Sequence, residues 1–181
     1  MNVPAWVKDA IFYQIFPDRF CRSPKYSAVG KFVQWESKPT RTNMFGGNLA
    51  GITDKLKYIA DLGATAIYLC PIFKSNSNHR YHTVDYFEID PVLGTLKDFD
   101  NLVKKAHALG LRVILDGVFN HCGSFHRWMD AEKIYEKLPD GIRGAKASRR
   151  SPYAEYFRFA NSEWPSNDTY DAWWKFETLP K

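Results

Sequence analysis

Residues 111–121, LRVILDGVFNH, form an apolar run that ends in a cluster of polar side chains. The run is short and rich in β-branched residues up to Asp116, a pattern typical of a buried strand. Two further runs have the same character, AIFYQIF at residues 10–16 and ATAIYLC at residues 64–70, and each is followed by a proline. The sequence therefore predicts three buried strands, at 10–16, 64–70 and 111–116.

Two helical patterns lie between the predicted strands. Apolar residues recur at helical spacing over residues 49–62, after a capping Asn48, and over residues 96–109, after Thr95 in a near capping-box arrangement. The order strand–helix–strand–helix–strand predicts a parallel sheet with helices packed outside it. Two folds are compatible with such a sheet, an open doubly wound sheet and a (β/α)8 barrel. The first βα loop has no Gly-x-Gly-x-x-Gly motif, which counts against a dinucleotide-binding fold.

The strand–helix rhythm stops after the third strand. Residues 21–47 and 73–94 are expected to be irregular loops. Residues 123–181 contain one predicted short helix, at 127–138, followed by a basic loop and by aromatic residues separated by proline and asparagine. We interpret this segment as an insertion and not as a fourth repeat. The expected domains are therefore 1–122, with the first three β/α units, and 123–181, the insertion.

The composition excludes several classes of protein. With 45% hydrophobic and 25% charged residues among 181, the chain is expected to be globular and neither disordered nor membrane-spanning. The net charge of +5 includes a basic run at 143–150, but without a nucleic-acid-binding motif this run favours a solvated loop. Cys21, Cys70 and Cys122 are too few and too dispersed for a disulfide framework or a metal site. The N-terminal residues lack the order of a signal peptide, which predicts a cytoplasmic or already processed protein.

Aromatic side chains are frequent, at 16% of the residues with 6 Trp and 10 Tyr. Sugars are one ligand class that uses such side chains, because the C–H faces of a sugar stack on flat apolar rings. The polar cluster after the third strand also lies at the strand end where barrel enzymes assemble their active sites.

Five segments carry motifs that are specific as an ordered set. They are IFYQIFPDRF (11–20), FGGNLAGI (45–52), SNHRYHTVDY (77–86), DGVFNH (116–121) and WWKFETLPK (173–181). Together they resemble the N-terminal part of the α-amylase family of glycoside hydrolases, family 13, and the last resembles the neopullulanase and cyclomaltodextrinase subgroup. The resemblance implies an α/β fold, the N-terminal portion of a (β/α)8 TIM barrel with a domain B insertion after strand 3.

The resemblance also implies a substrate-binding site. Tyr81 matches the tyrosine that stacks on the sugar ring where the bond breaks, and His121 matches the histidine that hydrogen-bonds that sugar. A half-buried packing tyrosine and a satisfied structural histidine are the alternatives at these positions. His82 replaces the aspartate usual in the closest relatives and is expected to bind substrate with a changed selectivity. Asp116 matches the strand-three acid that supports the nucleophile without attacking substrate.

Two residues are expected to be structural. Asn120 matches a residue that ties domain B to the barrel, often through calcium in α-amylases proper, and Asp85 is expected to be structural without a specified role. We favour a plain hydrogen bond at Asn120, because no carboxylate cluster in the insertion completes an oxygen cage. No cofactor is expected to be required, and a structural calcium ion is the alternative. Residues 21–26 lack the Asn/Asp-rich calcium loop of many relatives.

The function implied is retaining cleavage or transfer of α-1,4-glucosidic bonds, as in α-amylases, neopullulanases and cyclomaltodextrinases. The resemblance places the nucleophile and the acid/base beyond Lys181, so the 181 residues alone are expected to be inactive. The alternative is a non-catalytic carbohydrate-binding or interaction protein of the same fold. The expected partner is an α-glucan, a maltooligosaccharide or a cyclodextrin, and neither nucleic acid nor a membrane. A homodimer is compatible with the sequence.

Overall fold

The computed structural model describes residues 3–27, 30–135, 139–148, 150–159 and 170–181. Within them lie the strands β1 (Phe12–Ile15), β2 (Ala66–Leu69), β3 (Phe73–Ser75), β4 (Thr83–Ile89) and β5 (Arg112–Leu115). The α-helices are α1 (Leu49–Asp54), α2 (Leu56–Asp61) and α3 (Leu96–Ala108), and short 3-10 helices occupy Ala5–Val7, Pro17–Arg19, Ala154–Tyr156 and Trp173–Lys175.

The chain divides into two compact units. The first comprises Met1–Ile72 with Glu88–Asp116, and the second comprises Phe73–Phe87 with Gly117–Lys181. These ranges differ from the predicted division after residue 122, because residues 73–87 group with the segment that follows β5. Hydrogen bonds inside the second unit explain the grouping. The Gly123 amide donates to the Thr83 carbonyl at 2.8 Å, and the Tyr86 hydroxyl donates to the His121 carbonyl at 2.7 Å.

The first unit is built on a parallel sheet of three strands in the order β1–β2–β5. Tyr13, Ile67 and Val113 share one level of the register, and Gln14 and Tyr68 are neighbours at the next level. The three predicted strands are therefore confirmed as parallel neighbours, although each is shorter than its apolar run.

The helices pack on one face of this sheet, as predicted. Strand residues Ile15, Ile67 and Leu69 share a core with residues from all three helices, which are Leu49, Ile52, Leu56, Ile59, Leu102 and Ala106. Because side chains alternate between the faces of a strand, Gln14 and Tyr68 lie on the opposite face.

The helix predicted over 49–62 is interrupted. Asn48 caps α1 as predicted, because its side chain accepts a hydrogen bond from the Gly51 amide at 2.7 Å. At Lys55 the φ of −103° and ψ of 2° leave the helical region, and its amide bonds to the carbonyl of Ile52, only three residues back. The chain then re-enters a helix as α2, so the prediction of one continuous helix is wrong at this turn.

The helix predicted over 96–109 is confirmed as α3, together with its capping box. The Thr95 hydroxyl accepts from the Asp98 amide at 3.3 Å, and the Asp98 carboxylate accepts from the Thr95 amide at 2.8 Å. These two bonds satisfy donors that would otherwise have no partner at the start of the helix.

The predicted irregular loop over 73–94 is wrong in part, because β3 and β4 pair in a two-stranded sheet there. The segment TVDYFEI of β4 contains β-branched and aromatic residues at strand-like density. Its polar neighbours on both sides obscured that signal in the sequence.

The helix predicted over 127–138 is also wrong for residues 127–135, which form turns, while residues 136–138 lie outside the described residues. Asp130 explains the difference. Its backbone has a left-handed φ of 48°, and its carboxylate accepts hydrogen bonds from the amides of Ile134 and Tyr135 at 2.7 and 3.1 Å. These amides are thereby diverted from helical bonding.

In the part of the chain that the structure describes, no helix has both the length and the apolar character that crossing a membrane requires. Cys21, Cys70 and Cys122 are free thiols, and the last two are buried. Burial raises the pKa of Cys122 to about 12, so this thiol stays protonated at neutral pH.

Candidate functional site

The second unit brings His121 into contact with the backbone of Tyr81. Nε2 of His121 lies 3.0 Å from the Tyr81 carbonyl oxygen, and because a carbonyl only accepts, this nitrogen carries the proton. Nδ1 then accepts from the side-chain amide of Asn120 at 3.3 Å. The two bonds fix a neutral imidazole in one orientation. Burial lowers the pKa of His121, and the hydrogen bond to the Tyr81 carbonyl opposes that shift only partly.

His79 orients the backbone of Tyr81 from the other side. Its Nδ1 lies 3.1 Å from the Tyr81 amide, which donates to it, and 3.2 Å from the Ser77 hydroxyl. An acceptor at Nδ1 requires a neutral ring, and burial, followed by the charges of His82 and Arg80, lowers the pKa of His79. Both backbone polar groups of Tyr81 are thus held by histidines. Sequence reasoning quoted His79 within a motif but missed this role.

His82 completes a patch of imidazoles. Its ring lies edge-on to that of His79, with centroids 5.0 Å apart, and its carbonyl accepts from the Ser75 hydroxyl at 2.7 Å. Burial lowers the pKa of His82, and the charge of His121 lowers it further. Neutral imidazoles donate and accept hydrogen bonds without adding charge, which suits the hydroxyls of an uncharged sugar.

Gly123 permits close packing behind this patch. A Cβ atom at residue 123 would lie 3.0 Å from the carbonyl carbon and oxygen of His82 and from the Thr83 oxygen. Any other residue would therefore have to displace the backbone that carries His82.

Aromatic side chains also flank His121. The Trp173 ring stacks on its imidazole with centroids 5.0 Å apart and an interplanar angle of 15°, and Trp174 stacks on Trp173 at 4.6 Å. Sequence reasoning used these tryptophans as a family marker but did not place them beside His121.

A cavity of about 280 Å³ opens beside His121 within the second unit. Its lining is predominantly aromatic and apolar, with Tyr86, Phe119, Asn120, His121, Cys122, Trp128, Tyr156, Phe157, Pro180 and Lys181. The Tyr86 hydroxyl donates to the carbonyls of Val118 and His121, and burial raises its pKa. Tyr86 therefore supports the backbone that presents His121.

Asp116 lies at the end of β5 in the first unit. Its carboxylate Oδ2 accepts a hydrogen bond from the Tyr68 hydroxyl at 2.7 Å. That bond, with burial and the negative charge of Asp116 adding to it, raises the pKa of Tyr68 to about 12. The structure thus brings together Tyr81, His82 and His121 in one unit, whereas the place of Asp116 beside them stays a prediction.

The two residues expected to be structural have local partners. Asn120 orients His121, as described above, and the Asp85 carboxylate accepts from the Phe87 amide at 2.7 Å. Among the described residues, no group of three or more His, Cys, Asp or Glu side chains is arranged to hold a metal ion.

Comparison with known proteins identifies the family of this chain. Residues 14–179 match the family model described as "Alpha amylase, catalytic domain". The match covers most of the chain, which therefore belongs to the α-amylase catalytic-domain family. Solved structures of that family's enzymes match this chain, so its fold is of the TIM-barrel type.

Individual relatives are similar over most of the chain. A cyclomaltodextrinase from Geobacillus thermopakistaniensis is 54% identical over 67% of this chain and 21% of its own length. An amylopullulanase from Thermoanaerobacter thermohydrosulfuricus is 38% identical over 99% of this chain and 14% of its own length. The cyclic alpha-maltosyl-(1→6)-maltose hydrolase from Arthrobacter globiformis, in complex with cyclic alpha-maltosyl-(1→6)-maltose, superposes with a TM-score of 0.83 and 38% identity. That match covers 99% of this chain and 38% of the other. The chain thus spans less than two fifths of each of these proteins.

Proposed function

We propose that the chain forms part of a retaining glycoside hydrolase that cleaves or transfers α-1,4-glucosidic bonds in cyclodextrins, maltooligosaccharides or related α-glucans. Family membership supports the reaction class. The observation that carries the proposal is the arrangement of Tyr81 and His121. Two histidines hold the backbone of Tyr81, and a hydrogen bond of 3.0 Å joins its carbonyl to His121. An aromatic side chain on a hydrogen-bonded backbone and an oriented neutral imidazole are suited to a sugar ring and its hydroxyls.

In this proposal each residue has a separate task. Tyr81 offers its ring to the apolar face of the sugar whose bond is cleaved, and His121 and His82 hydrogen-bond sugar hydroxyls. Asp116 supports the nucleophile electrostatically and does not attack. A retaining mechanism needs a nucleophile and an acid/base with carboxyl groups about 5 Å apart, and this proposal assigns neither role to a residue of the 181. Both displacement steps use carboxyl groups and water, so no cofactor enters the chemistry.

The remaining assignments complete the same proposal. Residues 123–181 correspond to domain B, which the resemblance places after the third strand, and Asn120 acts through its hydrogen bond to His121 and without calcium. The enzyme acts in the cytoplasm on α-glucans and has no nucleic-acid or membrane partner. A dimer of identical chains is compatible with it.

The test uses the polypeptide encoded by the complete gene that contains these residues. It is incubated with β-cyclodextrin, maltotriose and pullulan, and proton NMR follows the anomeric configuration of the first product. We expect turnover with release of the α-anomer, whereas the 181-residue chain alone shows no turnover. Release of the β-anomer would refute retention. Binding of these glucans without turnover would favour a non-catalytic carbohydrate-binding protein.

A further inference from the structure

The sheet face opposite the helices carries a contact to which the proposed function gives no role. Ile67 and Leu69 of β2 face the helices, so Tyr68 between them faces the other way. Asp116 follows β5, and its amide continues the parallel ladder by donating to the Leu69 carbonyl at 3.0 Å. The strand that ends before Asp116 therefore lies directly beside the strand that carries Tyr68.

The geometry of this contact is that of a charge-assisted hydrogen bond. The Tyr68 hydroxyl lies 2.7 Å from Oδ2 of Asp116, and it must be the donor because an ionised carboxylate only accepts. A tyrosine has two rotatable side-chain torsions, and Tyr68 extends from β2, the central strand of the sheet. The donor is therefore presented from a rigid support.

A second polar contact lies beside Tyr68 on the same sheet. Gln14 on β1 is the register partner of Tyr68, and its side-chain amide donates to the Cys70 sulfur at 3.4 Å. Polar side chains of β1 and β2 thus point along the sheet toward the carboxyl ends of the strands. That end is where barrel enzymes place their reacting groups.

We infer that Tyr68 is a positioning residue, whose hydroxyl orients the carboxylate of Asp116. The inference rests on the proposed function, because Asp116 matters to catalysis only there. Tyr68 itself does not touch the sugar. Its removal deletes one hydrogen bond that orients the carboxylate, which weakens an interaction that must be oriented in the transition state.

The catalytic test compares Tyr68→Phe with wild type in the complete polypeptide, with β-cyclodextrin as substrate. Loss of a hydrogen bond to a charged group predicts a fall in kcat of about tenfold or more, with KM changed much less. The double variant Tyr68→Phe with Asp116→Asn is expected to be no slower than Asp116→Asn alone. Tyr13→Phe, which removes a hydroxyl from the helix-facing side of the same sheet, is the matched control and keeps wild-type kcat. Additive losses, or equal losses in Tyr68→Phe and Tyr13→Phe, would overturn the inference.

A second measurement does not depend on activity and separates this inference from the proposed function. Near-ultraviolet absorbance counts ionised tyrosines at about pH 11, between the ordinary tyrosine pKa and that of Tyr68. Asp116→Asn is expected to show one more phenolate than wild type, and adding Tyr68→Phe removes it, with circular dichroism confirming that the fold persists. An unchanged count in Asp116→Asn refutes the contact and with it the positioning role. If Asp116→Asn shows the additional phenolate but the complete polypeptide neither binds nor cleaves glucan, the contact is supported and the proposed function is refuted.

Discussion

Acid should destabilise the second unit through His126. This side chain is buried at 4% exposure, its ring lies against those of Tyr86 and Trp128, and its Nδ1 accepts from the Trp128 amide at 3.1 Å. Burial lowers the pKa of His126 from 6.5 to about 4, although the charge of Asp85 opposes the shift. The folded state therefore favours the neutral ring.

The sign and size of the effect follow from linkage. Because the folded pKa of His126 lies below the unfolded one, the stabilisation is fully present above about pH 6.5 and is lost as pH falls toward about 4. Each unit of separation between the two pKa values corresponds to about 1.4 kcal/mol. Between pH 7 and pH 5 the loss is therefore about 2 kcal/mol, and it approaches about 3 kcal/mol near pH 4.

Urea unfolding of wild type and of His126→Asn at pH 7 and pH 5 measures this loss. The asparagine keeps an acceptor for the Trp128 amide but has no titrating ring. Between pH 7 and pH 5, the free energy of unfolding of His126→Asn should therefore fall by about 2 kcal/mol less than that of wild type. His79, His82 and His121 titrate in both proteins and cancel in the comparison. An NMR titration of the imidazoles provides the pKa directly. Equal pH dependence in the two proteins would refute the argument.

Three further substitutions test packing and capping by chemical denaturation and, for the last, by NMR. Leu102→Ala removes a fully buried side chain of the α3 core and should cost about 2–5 kcal/mol, whereas Leu62→Ala, at an exposed position, should change stability by less than about 0.5 kcal/mol. Thr95→Ala breaks the capping box of α3 and should cost about 1 kcal/mol, and a loss no larger than that of Leu62→Ala would contradict the cap. Gly123→Ala should shift the backbone resonances of His82 and Thr83, and unchanged spectra would contradict the close approach.

The parallel sheet was predictable because its strands are continuous apolar runs. Such runs have few other stable arrangements in a chain with helical patterns between them. The break at Lys55 was not predictable, because apolar periodicity continues through it and only the local backbone changes. The helix predicted over 127–138 was wrong for residues 127–135 because one buried carboxylate, that of Asp130, accepts hydrogen bonds from amides that a helix would need. The apolar periodicity of a sequence does not reveal that a side chain will compete for backbone amides in this way.

The candidate site was accessible to sequence reasoning only through ordered motifs. Tyr81, His82 and His121 were named because their segments resemble one family in the right order. The partners that orient them were missed, because the bond between His79 and the Tyr81 amide and the stack of Trp173 on His121 depend on where side chains meet. A close repeat of Ser77, His79 and Tyr81 at alternate positions is a weak signal that could have indicated such a local network.

The most direct test of the central claim is the kcat/KM of Tyr81→Ala for β-cyclodextrin in the complete polypeptide. Tyr58→Ala, which removes an exposed tyrosine from α2, is the matched control. If Tyr81 stacks on the sugar at the bond that breaks, Tyr81→Ala should lower kcat/KM by roughly tenfold or more, because the ring contact is lost in the transition state. Tyr58→Ala should retain the wild-type value. Equal kcat/KM in Tyr81→Ala and Tyr58→Ala would contradict the assignment of this site to the sugar.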